Sequence, residues 1–399
     1  MANLRIASMV GARPNFMKIA PIVHEIQRAP GIEHRLVHSG QHYDQQMSES
    51  FFEELHIPKP DVNLEVGSGS HAWQTAEVMK RFEAVVLEWK PDVVIVVGDV
   101  NSTLAAALVA SKLGVAVAHV EAGLRSFDMS MPEEINRKLT DAISDLLFVT
   151  EQSGIQNLRK EGVDQEKIFF VGNVMIDCLV EHRKIAGKSE ILRRLGLQKD
   201  GAKASAYGLL TLHRPSNVDD PGVLRDILST IATLAEKMPV FFPVHPRSLE
   251  RIRQFGLGSY LAEEKSGGAE RGIVPLPPLG YLDFLHLMDH ACLLLTDSGG
   301  IQEESTILGV PCLTLRENTE RPVTVEQGTN QIVGRDPKKI LAAAARVLGT
   351  ERRLVKAPEL WDGHAAERIV KVLLEKFRPG SASNSTLATR ESSHLDSKS

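Results

Sequence analysis

The sequence predicts an α/β protein built from two doubly wound, Rossmann-like domains that face each other across a cleft. Its 399 residues exceed the roughly 250–300 at which a single hydrophobic core stops growing, so two domains are expected. Short apolar runs alternate with longer amphipathic stretches, which is typical of a parallel sheet covered by helices. The alternation occurs in each half of the chain, and this repetition predicts two sheets of the same kind.

Five short apolar runs in the first half are predicted strands. They are Leu4–Val10, Val93–Val97, Val115–Val120, Leu146–Val149 and Ile168–Val171. Two amphipathic stretches between them, Trp73–Trp89 and Ser102–Leu113, are predicted helices. In the first of these helices, apolar residues recur with the period of about 3.6 that places them on one face.

The second half repeats this plan. Its predicted strands are Tyr207–Leu212, Val240–Val244, Cys292–Thr296 and Cys312–Leu315, and its predicted helices include Gly222–Lys237 and Leu282–Asp289. Because the charged stretch Glu181–Ser205 separates the halves, we place the first domain at residues 1–178 and the second at 179–362. Residues 363–378 are a predicted final helix. Residues 379–399 contain too little apolar surface to fold, and we expect them to be disordered.

The composition excludes several classes of protein. Hydrophobic residues make up 43% and charged residues 24% of the chain, and a net charge of −5 disfavours nucleic-acid binding. No apolar run approaches the roughly 20 residues of a membrane span, and the N-terminus lacks a signal peptide, so we expect a cytoplasmic protein. The cysteines, Cys178, Cys292 and Cys312, lack metal-ligand spacing, and a G-x-G-x-x-G motif is absent, so we expect neither metal nor cofactor.

The segment after the first predicted strand has the features of an anion site. Ligands of doubly wound sheets bind outside the carboxyl ends of the strands. Gly11 permits a tight turn there, and Pro14 suits the first position of a helix. Amides at that helix start, with Arg13 and Lys18 nearby, would bind an anion; the alternative is that both side chains are solvated surface charges.

Two carboxylates follow the second and third predicted strands. Ser102 is the better N-cap for the helix that follows Asp99, so Asp99 could line the cleft instead of capping. Glu121 follows a buried strand, where partial desolvation raises the pKa of a carboxylate and suits it to proton transfer. The alternative for Glu121 is an internal ion pair with Arg125.

Glu133 and Arg137 form a third candidate pair. Pro132 marks the start of a helix, and residues four apart share a helix face. An ordinary surface pair is the alternative. His119, within the strand that precedes Glu121, is interpreted as a packed histidine and not as a catalyst.

Two strands of the second half end in a histidine with an arginine close behind it. The two runs are His213-Arg214 and His245-Pro246-Arg247. Together they are typical of a cradle for a polyanion, although each histidine could simply be hydrogen-bonded in a turn.

The strongest local signal is the run from Thr296 to Glu304. Its Ser298-Gly299-Gly300 turn lies between a strand and a helix and exposes backbone amides, which is how phosphates are held. Glu304 lies one helical turn after Gly300, where its carboxylate could accept both hydroxyls of a ribose. Arg321 follows the next strand and adds a cation. We therefore predict that the second half binds a nucleotide diphosphate and that carboxylates of the first half transfer protons on a linked sugar.

With these motifs in this order, the sequence resembles the non-hydrolysing UDP-N-acetylglucosamine 2-epimerases over nearly all of residues 3–376. The motifs that carry the resemblance are Gly11-Ala12-Arg13-Pro14, Gly98-Asp99, Glu121–Arg125, Pro132–Arg137, His213-Arg214, Asp297–Glu304 and Thr319–Pro322. The resemblance implies a glycosyltransferase-B fold whose last helix packs back on the first domain. It also implies a homodimer. The implied reaction converts UDP-N-acetylglucosamine reversibly to UDP-N-acetylmannosamine, through elimination of UDP to 2-acetamidoglucal and its re-addition.

The resemblance also implies roles for single residues. Asp99, Glu121 and Glu133 would be the acid/base residues, Arg137 would hold Glu133 in place, and His213 would assist at the diphosphate. Glu304 would bind the ribose and Phe284 the uracil. The other residues implied to bind or stabilise UDP are Arg13, Lys18, Ser298, Gly299, Gly300 and Arg321.

The sequence departs from the family pattern in two segments. Many members carry His-Arg-Arg-Glu-Asn where this chain has His213–Asn217, and the second segment is Gly40–Asp44. Both segments are similar to those of epimerases that act on a diacetamido uronic UDP-sugar, which is therefore an alternative substrate. A hydrolysing epimerase and a glycosyltransferase of the same fold are the alternative reactions.

Overall fold

The computed structural model describes residues 3–40, 52–198, 204–262, 271–348 and 356–377. Most of Gly40–Asp44 and the tail 379–399 lie outside the described residues. The chain divides into two compact units. The first contains the residues up to Cys178 together with the segment that begins at Glu359, and the second is Leu179–Pro358.

The first unit is built on a sheet of seven parallel strands in the order β3-β2-β1-β4-β5-β6-β7. The strands are β1 (Leu4–Val10), β2 (Ile32–His38), β3 (Val62–Asn63), β4 (Val93–Val97), β5 (Ala116–Ala122), β6 (Leu146–Val149) and β7 (Ile168–Phe170). The predicted parallel α/β architecture is confirmed. The strand order reverses between β1 and β4, and the carboxyl ends of these strands mark the switch point where such sheets bind ligands.

Helices connect or follow these strands. They are α1 (Arg13–Arg28), α2 (His71–Trp89), α3 (Asn101–Lys112), α4 (Pro132–Ile143), α5 (Gln152–Lys160) and α6 (Val174–Ala186). The predicted apolar face of α2 is confirmed, because Val78, Phe82, Val86 and Trp89 are buried. These side chains pack over the strands of the first sheet in one hydrophobic cluster. A short 3₁₀ turn, Gln165–Lys167, precedes β7.

The second unit contains six parallel strands in the order β10-β9-β8-β11-β12-β13. They are β8 (Gly208–Thr211), β9 (Val240–Pro243), β10 (Ile273–Leu276), β11 (Leu293–Thr296), β12 (Cys312–Thr314) and β13 (Asn330–Ile332). This sheet reverses its order between β8 and β11. Its switch point therefore lies where His213 and Asp297 follow the two strands.

Helices also cover the second sheet, and a separate hydrophobic cluster fills the space beneath them. The helices are α7 (Ile191–Arg194), α8 (Pro215–Val218), α9 (Pro221–Ala235), α10 (Pro246–Gln254), α11 (Tyr281–His290), α12 (Gly299–Leu308), α13 (Val323–Glu326) and α14 (Pro337–Leu348). A 3₁₀ turn, Gly258–Tyr260, follows α10. Each unit thus has its own core.

The last helix, α15 (Ala365–Phe377), belongs to the first unit and packs against α1. Two hydrogen bonds fix the segment that leads into this helix and its first turn. The Trp361 indole donates to the Thr150 carbonyl at 2.9 Å, and the backbone N–H of Ala366 donates to Asp177 Oδ2 at 2.7 Å. Asp177 therefore accepts from the first turn of α15, where a carboxylate is favoured by the helix dipole.

Asp177 is buried, and this burial raises the pKa of its carboxyl to about 6 despite the N–H groups of Ala366 and Ala365. The native state therefore holds the Asp177 proton more tightly than the unfolded chain does. The stability that this difference contributes is complete below pH 4 and is lost as the pH rises through 6.

We predict that wild-type protein loses stability relative to Asp177→Asn as the pH rises from 4 to 7. The relative loss should reach about 2–3 kcal/mol, because the asparagine has no charge to bury. Chemical denaturation at each pH measures it. Asp362→Asn is the control, since the hydrogen bond from Arg368 lowers the pKa of the exposed Asp362, so any effect should have the opposite sign. A wild-type advantage that grows with pH would contradict the assignment.

Candidate active site

Three strand ends of the first unit meet at a buried ion pair. Lys18 of α1 pairs with Glu121 at the end of β5, and both side chains are buried. Gly98 follows β4 with a φ of +68°. A Cβ on Gly98 would lie 2.8 Å from Lys18 Nζ, so a larger residue here would displace the ammonium group, and the positive φ also favours glycine. The alternative that Lys18 is a solvated surface charge is wrong; the side chain of Arg13 lies outside the described residues.

Glu121 adopts a strained backbone conformation. Its φ is +70°, which is unusual for a residue with a side chain, and the β5–β6 register shifts between Val120 and Ala122. Strain of this kind costs about 1–3 kcal/mol and is concentrated at functional sites. The alternative pairing of Glu121 with Arg125 is wrong, because Glu121 pairs with Lys18 while Arg125 pairs with Asp141 and Glu161.

Asp99 forms an ion pair with Arg137, whose guanidinium is buried on α4. About a quarter of the Asp99 side chain is exposed, so its carboxylate remains accessible. The prediction that Ser102 caps the following helix is wrong. Helix α3 begins one residue earlier than predicted, with Val100 at the N-cap, so Ser102 lies inside the first turn.

Arg137 is held by Glu134 on the same helix. Its Nη2 and Nε atoms donate to Glu134 Oε2 at 2.7 and 3.0 Å. Arg137 therefore forms ion pairs with Asp99 and with Glu134, which lies one helical turn before it. The pairing of Arg137 with Glu133 stays a prediction, and Glu133 is partly exposed.

His119 is packed, as expected, and buried beneath this site. Its Nδ1 lies 2.6 Å from Asp141 Oδ1 and its Nε2 lies 2.8 Å from the carbonyl oxygen of Gly98. Asp141 also receives Nη1 of Arg125 at 2.7 Å and the backbone N–H of Gly123 at 3.0 Å. A second layer of polar contacts thus lies under the strand ends.

In the second unit, Asp297 orients His213. Asp297 is fully buried after β11 and accepts the backbone N–H groups of His213 and Arg214 at 3.0–3.2 Å. His213 Nδ1 lies 2.8 Å from Asp297 Oδ1, and about half of the histidine side chain is exposed. Burial alone would raise the pKa of Asp297, but His213 and the two N–H groups outweigh it and lower the pKa. His245, which follows β9, accepts the backbone N–H of Arg247 at 3.3 Å at the start of α10. It is therefore hydrogen-bonded in a turn, which is the alternative to a polyanion cradle.

The Ser298-Gly299-Gly300 turn forms the start of α12, with Ser298 at the N-cap. The guanidinium of Arg321 lies directly behind it, and a Cβ on Gly299 would be 3.1 Å from Arg321 Nη1. Arg321 pairs with Glu303 at 2.7 Å and with Glu320 at 3.3 Å.

Glu320 also pairs with two further arginines, Arg316 at 2.8 Å and Arg214 at 3.5 Å. In this network the arginines outnumber the glutamates, Glu303 and Glu320, by one. Helix-start amides with arginines next to them suit a phosphate group.

Glu304 is buried one turn into α12. Its Oε1 accepts the hydroxyl of Tyr281 at 2.9 Å. Phe284 lies one turn after Tyr281 on α11 and is only partly buried. The second unit therefore groups a helix start with neighbouring arginines, a carboxylate and an accessible aromatic ring on adjacent elements.

The described residues contain neither a metal-binding cluster nor a membrane-spanning helix. Within them, no group of three or more His, Cys, Asp or Glu side chains is arranged to hold a metal ion. None of the described helices is both long and apolar enough to cross a bilayer.

Comparison with known proteins decides the family. A family model described as UDP-N-acetylglucosamine 2-epimerase matches residues 24–374. The chain belongs to this epimerase family. The UDP-N-acetylglucosamine 2-epimerase of Methanocaldococcus jannaschii is 45% identical over 93% of this chain and 99% of its own. A UDP-2,3-diacetamido-2,3-dideoxy-D-glucuronate 2-epimerase of Pseudomonas aeruginosa is 39% identical over 93% and 99%.

Solved structures agree with this assignment. The crystal structure of the M. jannaschii enzyme in complex with UDP-GlcNAc and UDP matches with a TM-score of 0.85 and 44% identity, over 93% of this chain and 99% of that one. The lipopolysaccharide outer core galactosyltransferase WaaB matches with a TM-score of 0.50 at 13% identity over 94% of this chain and 100% of that one. This second likeness concerns the fold alone, and it agrees with the expected glycosyltransferase-B fold.

Sequence reasoning missed several residues that this epimerase uses to hold its predicted site. Glu134 could have been found from its three-residue spacing to Arg137, which is a neighbour spacing on a helix. Glu303, Tyr281 and Asp141 are partners across elements, and no local pattern identifies them.

We predict that Glu134→Gln destabilises the protein by about 2–4 kcal/mol. Glu134 is fully buried and accepts the N–H groups of Ser126 and Phe127 at 2.9 and 3.1 Å. The substitution leaves Arg137 buried with its charge less well compensated. Urea denaturation measures the loss. The neighbouring Glu133→Gln is the control and should change stability by less than about 0.5 kcal/mol; equal effects of the two variants would contradict the analysis.

Proposed function

We propose that this protein interconverts UDP-N-acetylglucosamine and UDP-N-acetylmannosamine by inverting C2, without hydrolysis. The observation that carries the proposal is the set of carboxylates paired with cations at the strand ends of the first unit. Glu121 with Lys18 and Asp99 with Arg137 are groups of the type that transfers protons. The relatives from M. jannaschii and Methanococcus maripaludis that carry the name UDP-N-acetylglucosamine 2-epimerase, at 45% and 42% identity, support it.

The chemistry requires more than an acid/base pair. The hydrogen on C2 of the sugar is not next to a carbonyl group, so simple deprotonation would be too slow. In the proposed reaction a base removes the C2 proton, its electron pair forms the C1=C2 double bond, and the C1–O bond breaks to release UDP. UDP then adds back to C1 of the 2-acetamidoglucal while an acid delivers a proton to the opposite face of C2.

Asp99, Glu121 and Glu133 are the proposed proton-transfer groups. The Lys18 ammonium lies beside Glu121 and the Arg137 guanidinium beside Asp99, so a cation positions each of these two carboxylates. Glu133 lies on α4 with Arg137 and is partly exposed, so it can reach a substrate. The strained backbone of Glu121 is consistent with a functional carboxylate.

The proposed UDP-binding residues come from the second unit. The diphosphate would bind at Ser298, Gly299 and Gly300, next to the network of Arg321 and with His213, whose ring is fixed by Asp297, donating a hydrogen bond. Glu304 would accept the ribose hydroxyls, and Phe284 would stack on the uracil. From the first unit, Arg13 and Lys18 are the proposed additional cations.

A second candidate substrate is a UDP-linked 2,3-diacetamido uronic sugar. The P. aeruginosa epimerase named for such a sugar is 39% identical over nearly the whole of both chains. The reaction at C2 would be the same, and only the substituents at C3 and C6 would differ. Comparison of kcat/KM for the two purified UDP-sugars distinguishes the candidates.

We predict that the protein incorporates deuterium at C2 of UDP-N-acetylglucosamine in deuterated water and forms UDP-N-acetylmannosamine. NMR of C2, without added metal or NAD, measures both. Asp99→Asn and Glu121→Gln should lower the exchange rate at least about 100-fold, because each removes a proton-transfer group, while UDP binding remains. Accumulation of free sugar would indicate hydrolysis, and absence of exchange would indicate a transferase or an epimerase selective for the uronic sugar; either result would refute the proposal.

We also predict that Glu304→Gln weakens UDP binding by about 10- to 100-fold, since a charged acceptor for the ribose hydroxyls is lost. Isothermal titration calorimetry measures the Kd. The matched control is 2′,3′-dideoxy-UDP, for which the variant and wild type should have similar affinities. An unchanged Kd for UDP itself would reject the ribose role of Glu304.

A further inference from the structure

We propose that Asp141 is a positioning residue that, together with His119, holds the backbone on both sides of Glu121 and next to Asp99. The inference rests on the proposed function, because Asp99 and Glu121 are catalytic only within it. The polar contacts themselves are independent of that function.

Asp141 holds the strained segment of β5 from both sides. It is fully buried on α4, and its two carboxylate oxygens point to residues that flank Glu121. Oδ1 lies 2.6 Å from the ring of His119, two residues before Glu121. Oδ2 accepts the backbone N–H of Gly123, two residues after it, at 3.0 Å. One carboxylate thus fixes both ends of the bulge that carries the glutamate.

His119 extends this clamp to the neighbouring strand. Its Nε2 lies 2.8 Å from the carbonyl oxygen of Gly98, the residue before Asp99. A carbonyl oxygen only accepts, so Nε2 must carry the hydrogen. The ring therefore joins the end of β4, which carries Asp99, to Asp141 on α4. A backbone hydrogen bond from Gly98 N–H to the Val120 carbonyl, at 3.1 Å, runs beside it.

The backbone of Glu121 and Gly123 adopts conformations that the surrounding structure must hold in place. Gly123 has a φ of +80°, and a Cβ there would lie 2.5 Å from the Gly154 carbonyl oxygen. Glu121 has a φ of +70°. Positive-φ residues persist only where the surroundings fix them, and Asp141 supplies two of the fixed points.

The charges around Asp141 favour its ionised carboxylate, which accepts hydrogen bonds. Burial alone would raise the pKa of its carboxyl, but His119 and the Arg125 guanidinium outweigh burial and lower it. Arg125 is itself paired with Glu161 at 2.6 Å. The ionised carboxylate can therefore accept from the amide and the guanidinium at once, and from the ring when Nδ1 carries a hydrogen as well as Nε2.

This geometry predicts a loss of turnover without a loss of UDP affinity when Asp141 is replaced. A displacement of about 1 Å at a reacting group can cost on the order of 100-fold in rate. The groups that we assign to UDP in the second unit, from His213 to Arg321, do not include Asp141. A merely structural role would lower stability alone.

The test compares Asp141→Asn with Asp145→Asn. Asp145 Oδ2 accepts the backbone N–H of Val117 at 3.0 Å, so it also anchors β5 but at the opposite end of the strand. Asp141→Asn should lower kcat for C2 exchange at least about 100-fold with the Kd for UDP changed less than about twofold. Asp145→Asn should keep kcat within about threefold. Equal kcat values for the two variants would overturn the proposal.

His119→Gln provides a second route if Asp141→Asn does not fold. It should lower kcat in the same direction, with the Kd for UDP changed less than about twofold. A kcat equal to that of the wild type would overturn the proposal.

A readout independent of activity separates this inference from the proposed function. In wild-type protein labelled with ¹⁵N-histidine, the spectrum should show a hydrogen on Nε2 of His119, assigned by its disappearance in His119→Gln. A bare Nε2 would overturn the clamp even in an active enzyme. A protonated Nε2 in a wild-type protein that exchanges no deuterium would refute the proposed function and leave the polar geometry standing.

Discussion

A carboxylate that is buried at the end of a parallel strand must be compensated by cations or N–H donors, because an unpaired buried charge costs several kcal/mol. Both units satisfy this requirement near the carboxyl ends of their strands. In the first, Glu121 at the end of β5 is compensated by Lys18, and Asp141 of the adjacent helix α4 by His119 and Arg125. The compensation fixes the positions of these groups, so the electrostatic requirement of folding also produces a preorganised site.

The second unit also compensates its buried carboxylate, but it does so with different groups. Asp297 is compensated mainly by backbone N–H groups and the ring of His213, which leaves that ring oriented and half exposed. Arg214, Arg316 and Arg321 surround Glu320 beside the start of α12. The first unit therefore presents carboxylates paired with cations, and the second presents helix-start amides next to a cluster of arginines. The proposed elimination and re-addition would use the first for proton transfer and the second at the diphosphate.

Much of this arrangement could be predicted from sequence, because parallel strands place their carboxyl ends at one edge and the residues after each apolar run must meet there. Lys18, Asp99 and Glu121 were found in that way. Strand β2 was missed because Glu33, His34 and Arg35 interrupt its apolar pattern, although it pairs with β1 along its whole length. The partners of the site residues, such as Asp141, depend on contacts between elements distant in sequence, and no spacing reveals them.

The central claim is that the C1–O bond to UDP breaks each time the C2 proton is removed. UDP-N-acetylglucosamine labelled with ¹⁸O in the oxygen that joins C1 to the β-phosphorus tests it directly. If UDP is released and added back, the β-phosphate can rotate, and NMR of the phosphorus should show the label moving into non-bridging positions as deuterium enters C2. Deuterium at C2 with all of the ¹⁸O still in the bridge would contradict the account.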